Sequence, residues 1–239
     1  MCPRRVQSKS RFRSFRKILY QRVVELSYKI HPGRERRPFE VELVGAEQID
    51  SQLHRQEGQW YVMGNLKFTA HVGTHIETPF HCLPDGEDLS KIGAERLVGE
   101  AVVLDFHGLP PEHTITLDEF KEAASKAGGI KPGDILLCYT GHSQYYGTDM
   151  YARRPSFAGE ALEWMVAQGI KLMGVDTGGI ETQTVPNNAY HTILFSRGIC
   201  LIENLTNLGA LTKPRVTVCA LPLAVEGLEA IPLRVIALE

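Results

Sequence analysis

The sequence predicts a single α/β domain with a partly parallel sheet. Three observations carry this: strand and helix patterns alternate through the middle of the chain, strand-length apolar runs cluster at both ends, and no Gly-, Pro- or Ser-rich linker separates two such regions. The 239 residues are 43% hydrophobic and 23% charged, ordinary for one soluble domain with a full core. That balance excludes a disordered, collagen-like or coiled-coil chain. No apolar run approaches the roughly 18 residues of a membrane span, so no membrane partner is expected.

The elements follow in order. WYVMGNLKFTA (60–70) has strand composition and leads into a loop rich in Gly, His and Pro. AVVLDF (101–106) is a buried-strand pattern. Thr116 followed by Glu119 is a capping box opening a helix over 116–127, which Gly128-Gly129 stops. GDILLCYT (133–140) is the next strand. In GEALEWMVAQG (159–169), Leu162, Met165 and Val166 fall at helical spacing. KLMGVD (171–176) reads as a strand, AYHTILFSRG (189–198) as a helix and ICLIEN (199–204) as a strand. VTVCALPL (216–223) and IPLRVIAL (231–238) close the chain as strands.

Charge is unevenly spread. Residues 1–37 hold 12 Lys and Arg against two acids, Glu25 and Glu35, whereas the remainder carries 14 basic and 26 acidic residues. The basic start (1–21) suits an organelle transit peptide, a nucleic-acid arm, or an arm packing on the acidic body or on a partner subunit. The last is favoured, with 22–239 as the domain. The acidic remainder lacks zinc-finger, RNP and helix-turn-helix cues, so no nucleic-acid partner is expected. Five scattered cysteines without a CxxC pair read as reduced thiols, which suits a cytoplasmic protein.

One segment concentrates chemistry. Between residues 71 and 81 lie His71, His75, Glu77 and His81, so three of nine histidines and an acid fall within eleven positions. Imidazole and carboxylate are the ligands that zinc and manganese accept. Gly73 and Pro79 argue against a regular helix and for a bent loop that folds its ligands around a point. A second pair, His191 and Glu203, lies in an apolar stretch where a Glu is rarely buried unless paired or bound to metal. Asp176, at the end of a strand, suits either a contact to a metal-site His or a cap on the next turn. Arg153-Arg154 suits an anion contact or, preferably, a surface pair. Cys82 has no Cys/His/Asn pattern to make it a nucleophile.

The segment HVGTHIETPFH resembles the H-x-G-T-H-x-D-x-P-x-H signature of the putative cyclase family, metal-dependent hydrolases that include kynurenine formamidase and isatin hydrolase. VVELSYKIHPG (23–33), LLCYTG (136–141), GVDTGGIE (174–181), His191 with IENL (202–205), and PLRVIAL (232–238) are similar to further family segments in the same order. The resemblance implies a swivelling β/β/α-type fold and a homodimer or homotetramer. It also implies one or two divalent ions, zinc or manganese. His71, His75 and Glu77 would hold the first, and His191 and Glu203, with Glu77 bridging, the second. His81 would be the catalytic acid/base. The family's bridging acid is Asp, and Glu77 is one methylene longer; His142 stands where many relatives carry Trp.

The expected reaction is hydrolysis of an amide, formamide or lactam C–N bond in a small, aromatic-compatible substrate. Trp60, Phe80, His142 and Tyr145 are the candidate substrate contacts, with Phe68 and Tyr146 as further aromatic candidates and core or dimer packing as the alternative for each aromatic. Rival readings are a lactone hydrolase, a cyclase/dehydratase on the same metals, or a non-catalytic metal-binding homologue.

Overall fold

A computed structural model describes residues 20–182, 184–185 and 188–239. Its elements are β1 (Val23–Glu25), β2 (Phe39–Gly45), α1 (Ala46–Ile49), β3 (Val62–Phe68), β4 (His75–Glu77), α2 (Ala94–Leu97), β5 (Val98–Asp105), β6 (Thr114–Ile115), α3 (Leu117–Lys126) and β7 (Ile135–Tyr139). They continue as β8 (Ser156–Phe157), α4 (Gly159–Ala167), β9 (Leu172–Val175), α5 (Ala189–Phe195), β10 (Cys200–Glu203), β11 (Arg215–Ala220), β12 (Ala230–Pro232) and β13 (Val235–Leu238). The expected α/β single domain with a mixed sheet is what forms. The basic 1–21 arm lies almost wholly outside the described residues.

Nine strands make one sheet in the order β1-β13-β11-β5-β7-β9-β10-β4-β12. The central strands β5, β7, β9 and β10 run parallel, with antiparallel strands on both flanks. IPLRVIAL is not one strand. It breaks at Leu233-Arg234, and β12 and β13 pair at opposite flanks of the sheet. Two linking residues reach only about 10 Å, so the flanks must come together and the sheet curls toward closure. Hydrogen bonds lace the seam: Thr74 Oγ1 donates to Asn204 O at 2.6 Å and accepts from Tyr28 N at 3.0 Å, and Leu233 N donates to Thr74 O at 3.1 Å.

Side-chain alternation divides the core. On β7, Ile135 and Leu137 enter the curled interior with Leu26, Ile76, Ile202 and Val218. Leu136 and Cys138 face the helices with Phe120, Leu162, Met165 and Phe195. Both faces are thus buried, as parallel strands between layers require. Helix α3 carries the expected capping box: Thr116 N donates to Glu119 Oε2 at 2.8 Å, and Glu119 N donates to Thr116 Oγ1 at 3.3 Å.

The 60–70 segment departs from expectation in placement. β3 pairs only with β2, as a hairpin outside the main sheet. Val41 sits directly opposite Leu66, and both are exposed, as are Leu43, Trp60 and Tyr61. The 216–223 strand stops at Ala220, leaving Leu221 and Leu223 exposed. Among the described residues, no helix is long and apolar enough to cross a membrane.

Candidate metal centre

The site is built on the helix-facing side of β4 and β10. Ile76 points into the curled interior, so period-two alternation turns its neighbours His75 and Glu77 to the other side. On β10, Ile202 likewise points inward, which brings Glu203 out. The antiparallel register sets Glu203 directly opposite His75, and Leu201 opposite Glu77. Part of the expected bent loop is therefore a short strand. The bend lies upstream at Gly73, whose positive φ of 61° returns His71 toward the same cluster.

Helix α5 covers this face and contributes His191. The carboxylate of Glu77, 2% exposed, is shared by three imidazoles: His71 Nδ1 lies 2.7 Å and His75 Nε2 3.2 Å from Oε1, and His191 Nε2 lies 3.0 Å from Oε2. Glu203 is 3.6 Å from His75 Nε2 and 3.5 Å from His191 Nε2. The five residues predicted as ligands come together in space. They form two groups, His71–His75–Glu77 and Glu77–His191–Glu203, each compact enough for one ion, with Glu77 common to both.

Outer partners fix which nitrogens face inward. His75 Nδ1–H donates to Gly73 O at 2.9 Å, which leaves Nε2 as the inward atom. Glu181 bonds His191 Nδ1 and accepts from its backbone N at 3.1 Å, leaving Nε2 toward Glu77 and Glu203. Carboxylate–imidazole pairs of this kind orient metal ligands. Glu229, 3.2 Å from His71 Nε2, is a further partner. Sequence reasoning named neither Glu181 nor Glu229. Glu181 is the final acid of the GVDTGGIE segment, a position that could have flagged it.

The electrostatics follow from four carboxylates around buried imidazoles. Burial opposes charge on His191, but Glu181, Glu203 and Glu77 overcome it and push its pKa up to about 12. Burial likewise opposes protonation of His75, and Glu77 and Glu203 outweigh it, so its pKa rises. Glu77 shifts the other way: burial favours its neutral form, yet the adjacent imidazoles of His191, His71 and His75 hold it well below the usual carboxylate range.

These residues fit a divalent cation. Glu77 Oε2 is buried and makes no hydrogen bond among the described residues, although His191 Nε2 lies nearby. An unsatisfied buried anionic oxygen is costly unless a cation meets it. The donor set, imidazole nitrogen and carboxylate oxygen, is the one zinc and manganese take.

His81 ends a 3₁₀ turn (Pro79–His81) beside the cluster, with ring centroids 4.6 Å from His71 and 6.0 Å from His191. Its side chain makes no hydrogen bond among the described residues. Partial burial lowers its pKa, and charge on His71 and His191 adds to the effect. It can also group with His71 and Glu229 around an ion. Asp176 caps the neighbouring turn, accepting from Thr140 N, Thr140 Oγ1 and Gly141 N. Burial raises the Cys82 thiol pKa.

A cavity of about 370 Å³ opens beside His71, His75 and Glu203, with Tyr146 and Tyr151 as its aromatic wall. The four expected substrate contacts do not line it. Trp60, 80% exposed, flanks the hairpin that stands off the main sheet, and Phe80 faces outward from its turn. His142 is buried with its Nε2 3.0 Å from Tyr151 O, and it lines a separate cavity of about 300 Å³ with Tyr145. Tyr151, whose hydroxyl bonds Asn204 Oδ1, was not singled out in the sequence.

The fold and the cluster together define a class: an α/β domain with a curled mixed sheet carrying a His–carboxylate cluster that could hold a metal ion. The sequence pattern of the putative cyclase family matches residues 24–182, and the chain belongs to that family. It is 24% identical over 205 residues to a kynurenine formamidase of Erythrobacter litoralis, covering 86% of this chain and 88% of that one. A Bacillus cereus kynurenine formamidase is 26% identical over 174 residues, covering 73% and 78%. Among solved structures, isatin hydrolase A from Ralstonia solanacearum superposes with a TM-score of 0.77 at 26% identity, covering 91% of each chain.

Proposed function

We propose that this protein is a metal-dependent hydrolase of non-peptide C–N bonds, cleaving an amide, formamide or lactam in a small substrate. His71, His75, Glu77, His191 and Glu203 hold one or two divalent cations, zinc or manganese, and His81 transfers the proton. One observation carries the reading: Glu77, buried and short of a hydrogen bond at Oε2, stands between three imidazoles and belongs to two ion-sized ligand groups. The similarity to a formamidase and to an isatin hydrolase supports the choice of bond.

A divalent cation held there supplies a Lewis acid for the scissile carbonyl and makes water acidic enough to attack near neutral pH. The chain's residues do the rest. Gly73 O and Glu181 lock the imidazoles of His75 and His191 with Nε2 inward. His81, kept neutral by burial, takes a proton from the attacking water and returns it to the leaving nitrogen. Tyr146 and Tyr151 give the substrate a flat apolar wall.

A panel of formanilides, lactams and lactones, assayed with zinc- and manganese-loaded protein, tests the reading. Turnover of a formanilide or lactam that chelation abolishes is the expected result. Lactone-only turnover would make it an esterase-like enzyme, and metal binding without any turnover would make it a non-catalytic homologue. The exposed apolar face of the β2–β3 hairpin is the surface we propose for the homo-oligomer that the family resemblance implies.

A further inference from the structure

Arg153 and Arg154 are adjacent in sequence, yet they meet different surroundings. Arg153 pairs with Glu112 at 3.0 Å on the surface. Arg154 turns into the cavity beside the metal centre, half-buried, and forms no salt bridge or hydrogen bond among the described residues. Its Nε is buried and unpartnered. The guanidinium is seated against bare backbone: a Cβ on Gly179 would lie 2.5 Å from Nη2 and 3.0 Å from Nε, and the φ of 131° there suits glycine. A guanidinium that lines a cavity and bonds none of the acceptors described there is poised for a ligand, since a buried unpaired donor such as Nε is otherwise costly.

The charge around it has the same sense. Arg36 and Arg37 stand at the rim without salt bridges among the described residues, Arg36 lying 5.8 Å over the Tyr151 ring. Glu203 is the one acid of the lining, and it is engaged with His75 and His191. Three arginines thus face a cavity whose single carboxylate belongs to the metal cluster. At about 370 Å³ the cavity is near the small end of ligand sites, room for one small molecule.

Building on the hydrolase reading above, we propose that Arg154 is a specificity-determining residue that binds a carboxylate on the substrate. The substrate is a small anionic amide, its scissile carbonyl at the His–Glu cluster and its carboxylate on the Arg154 fork. The planar guanidinium matches a carboxylate with two parallel hydrogen bonds. Tyr151 and Tyr146 hold the apolar part between the two poles.

Two arms test this and keep its failure apart from failure of the hydrolase reading. In the first, metal-loaded protein is assayed on ortho-, meta- and para-carboxyformanilide and on the matching carboxamides. The wild type should prefer one carboxylate over its carboxamide, and Arg154→Met should lower kcat/KM for that carboxylate about ten- to a hundredfold, the range for losing a charge-assisted bond. The carboxamide should change little, and Arg154→Lys should recover part of the loss. In the second arm, benzoate binding to chelated protein is followed by calorimetry, where no metal can hold the anion. Benzoate should bind the wild type and weaken at least about tenfold in Arg154→Met, with benzamide indifferent to the change. If formanilides and lactams alike are inert but benzoate binding depends on Arg154, the hydrolase reading falls and the anion site stands. If formanilides turn over without carboxylate preference, or benzoate binding is equal in wild type, Arg154→Met and Arg154→Lys, the proposal is overturned.

Discussion

Glu77 Oε2 lies 3.0 Å from His191 Nε2, tying strand β4 to helix α5 across more than a hundred residues of chain. The contact joins the two ligand groups into one cluster. It exists because β4 and β10 are antiparallel neighbours and α5, which leads into β10, folds back over their shared face.

Glu181 acts through His191 and should behave as a positioning residue. Glu181→Ala should weaken metal affinity about ten- to a hundredfold, while the ion count at saturating metal stays as in the wild type. Competition against a chromophoric chelator reads the affinity. An unchanged constant would mean that Glu181 does not orient the imidazole.

His81→Ala separates chemistry from binding. Turnover should fall at least about a hundredfold, as for loss of a general acid/base, with metal content intact. Elemental analysis decides between the two roles open to His81, because a metal-depleted variant would make it a ligand together with His71 and Glu229.

Metal binding should depend on pH with a definite sign. In the metal-free fold, Glu181, Glu203 and Glu77 outweigh burial and hold a proton on His191 up to about pH 12, and the His75 pKa is raised as well. A cation takes only neutral imidazole, so binding must expel protons. Apparent affinity should therefore rise as pH rises through neutrality. Calorimetry in buffers of different ionisation heat should show net proton release, and a pH-independent affinity without release would contradict these shifts.

The hairpin gives a prediction about assembly. Val41, Leu43 and Leu66 leave apolar surface exposed outside the main sheet. Leu43→Ser with Leu66→Ser should shift an oligomer toward monomer in light scattering, without loss of helix or strand signal. A wild type that is already monomeric would remove this role.

Much of the site was legible in the sequence, because ligand chemistry is written in residue types at close spacing: His71, His75 and Glu77 within seven positions are hard to read otherwise. His191 and Glu203 stood out as polar residues in an apolar stretch. The outer partners were not legible. Glu181 and Glu229 look like any surface acid until the curled sheet brings them to the imidazoles. The same holds for the break in IPLRVIAL. Its apolar run is continuous, and only pairing at two opposite flanks of the sheet splits it into β12 and β13. Of the aromatic wall, Tyr146 was among the candidates and Tyr151 was missed for a related reason, since exposure and direction, which sequence does not encode locally, separate both from Trp60 and Phe80.

Whether Glu77 is shared between two ions is read from metal stoichiometry in wild type and in Glu203→Ala. By elemental analysis after equilibration with excess zinc or manganese, the wild type should approach two ions per chain, one tight and one weaker. Glu203→Ala should fall toward one and lose more than about tenfold in activity, the lower end of effects expected at a damaged metal site. One ion per chain in both proteins, with equal rates, would contradict the shared centre.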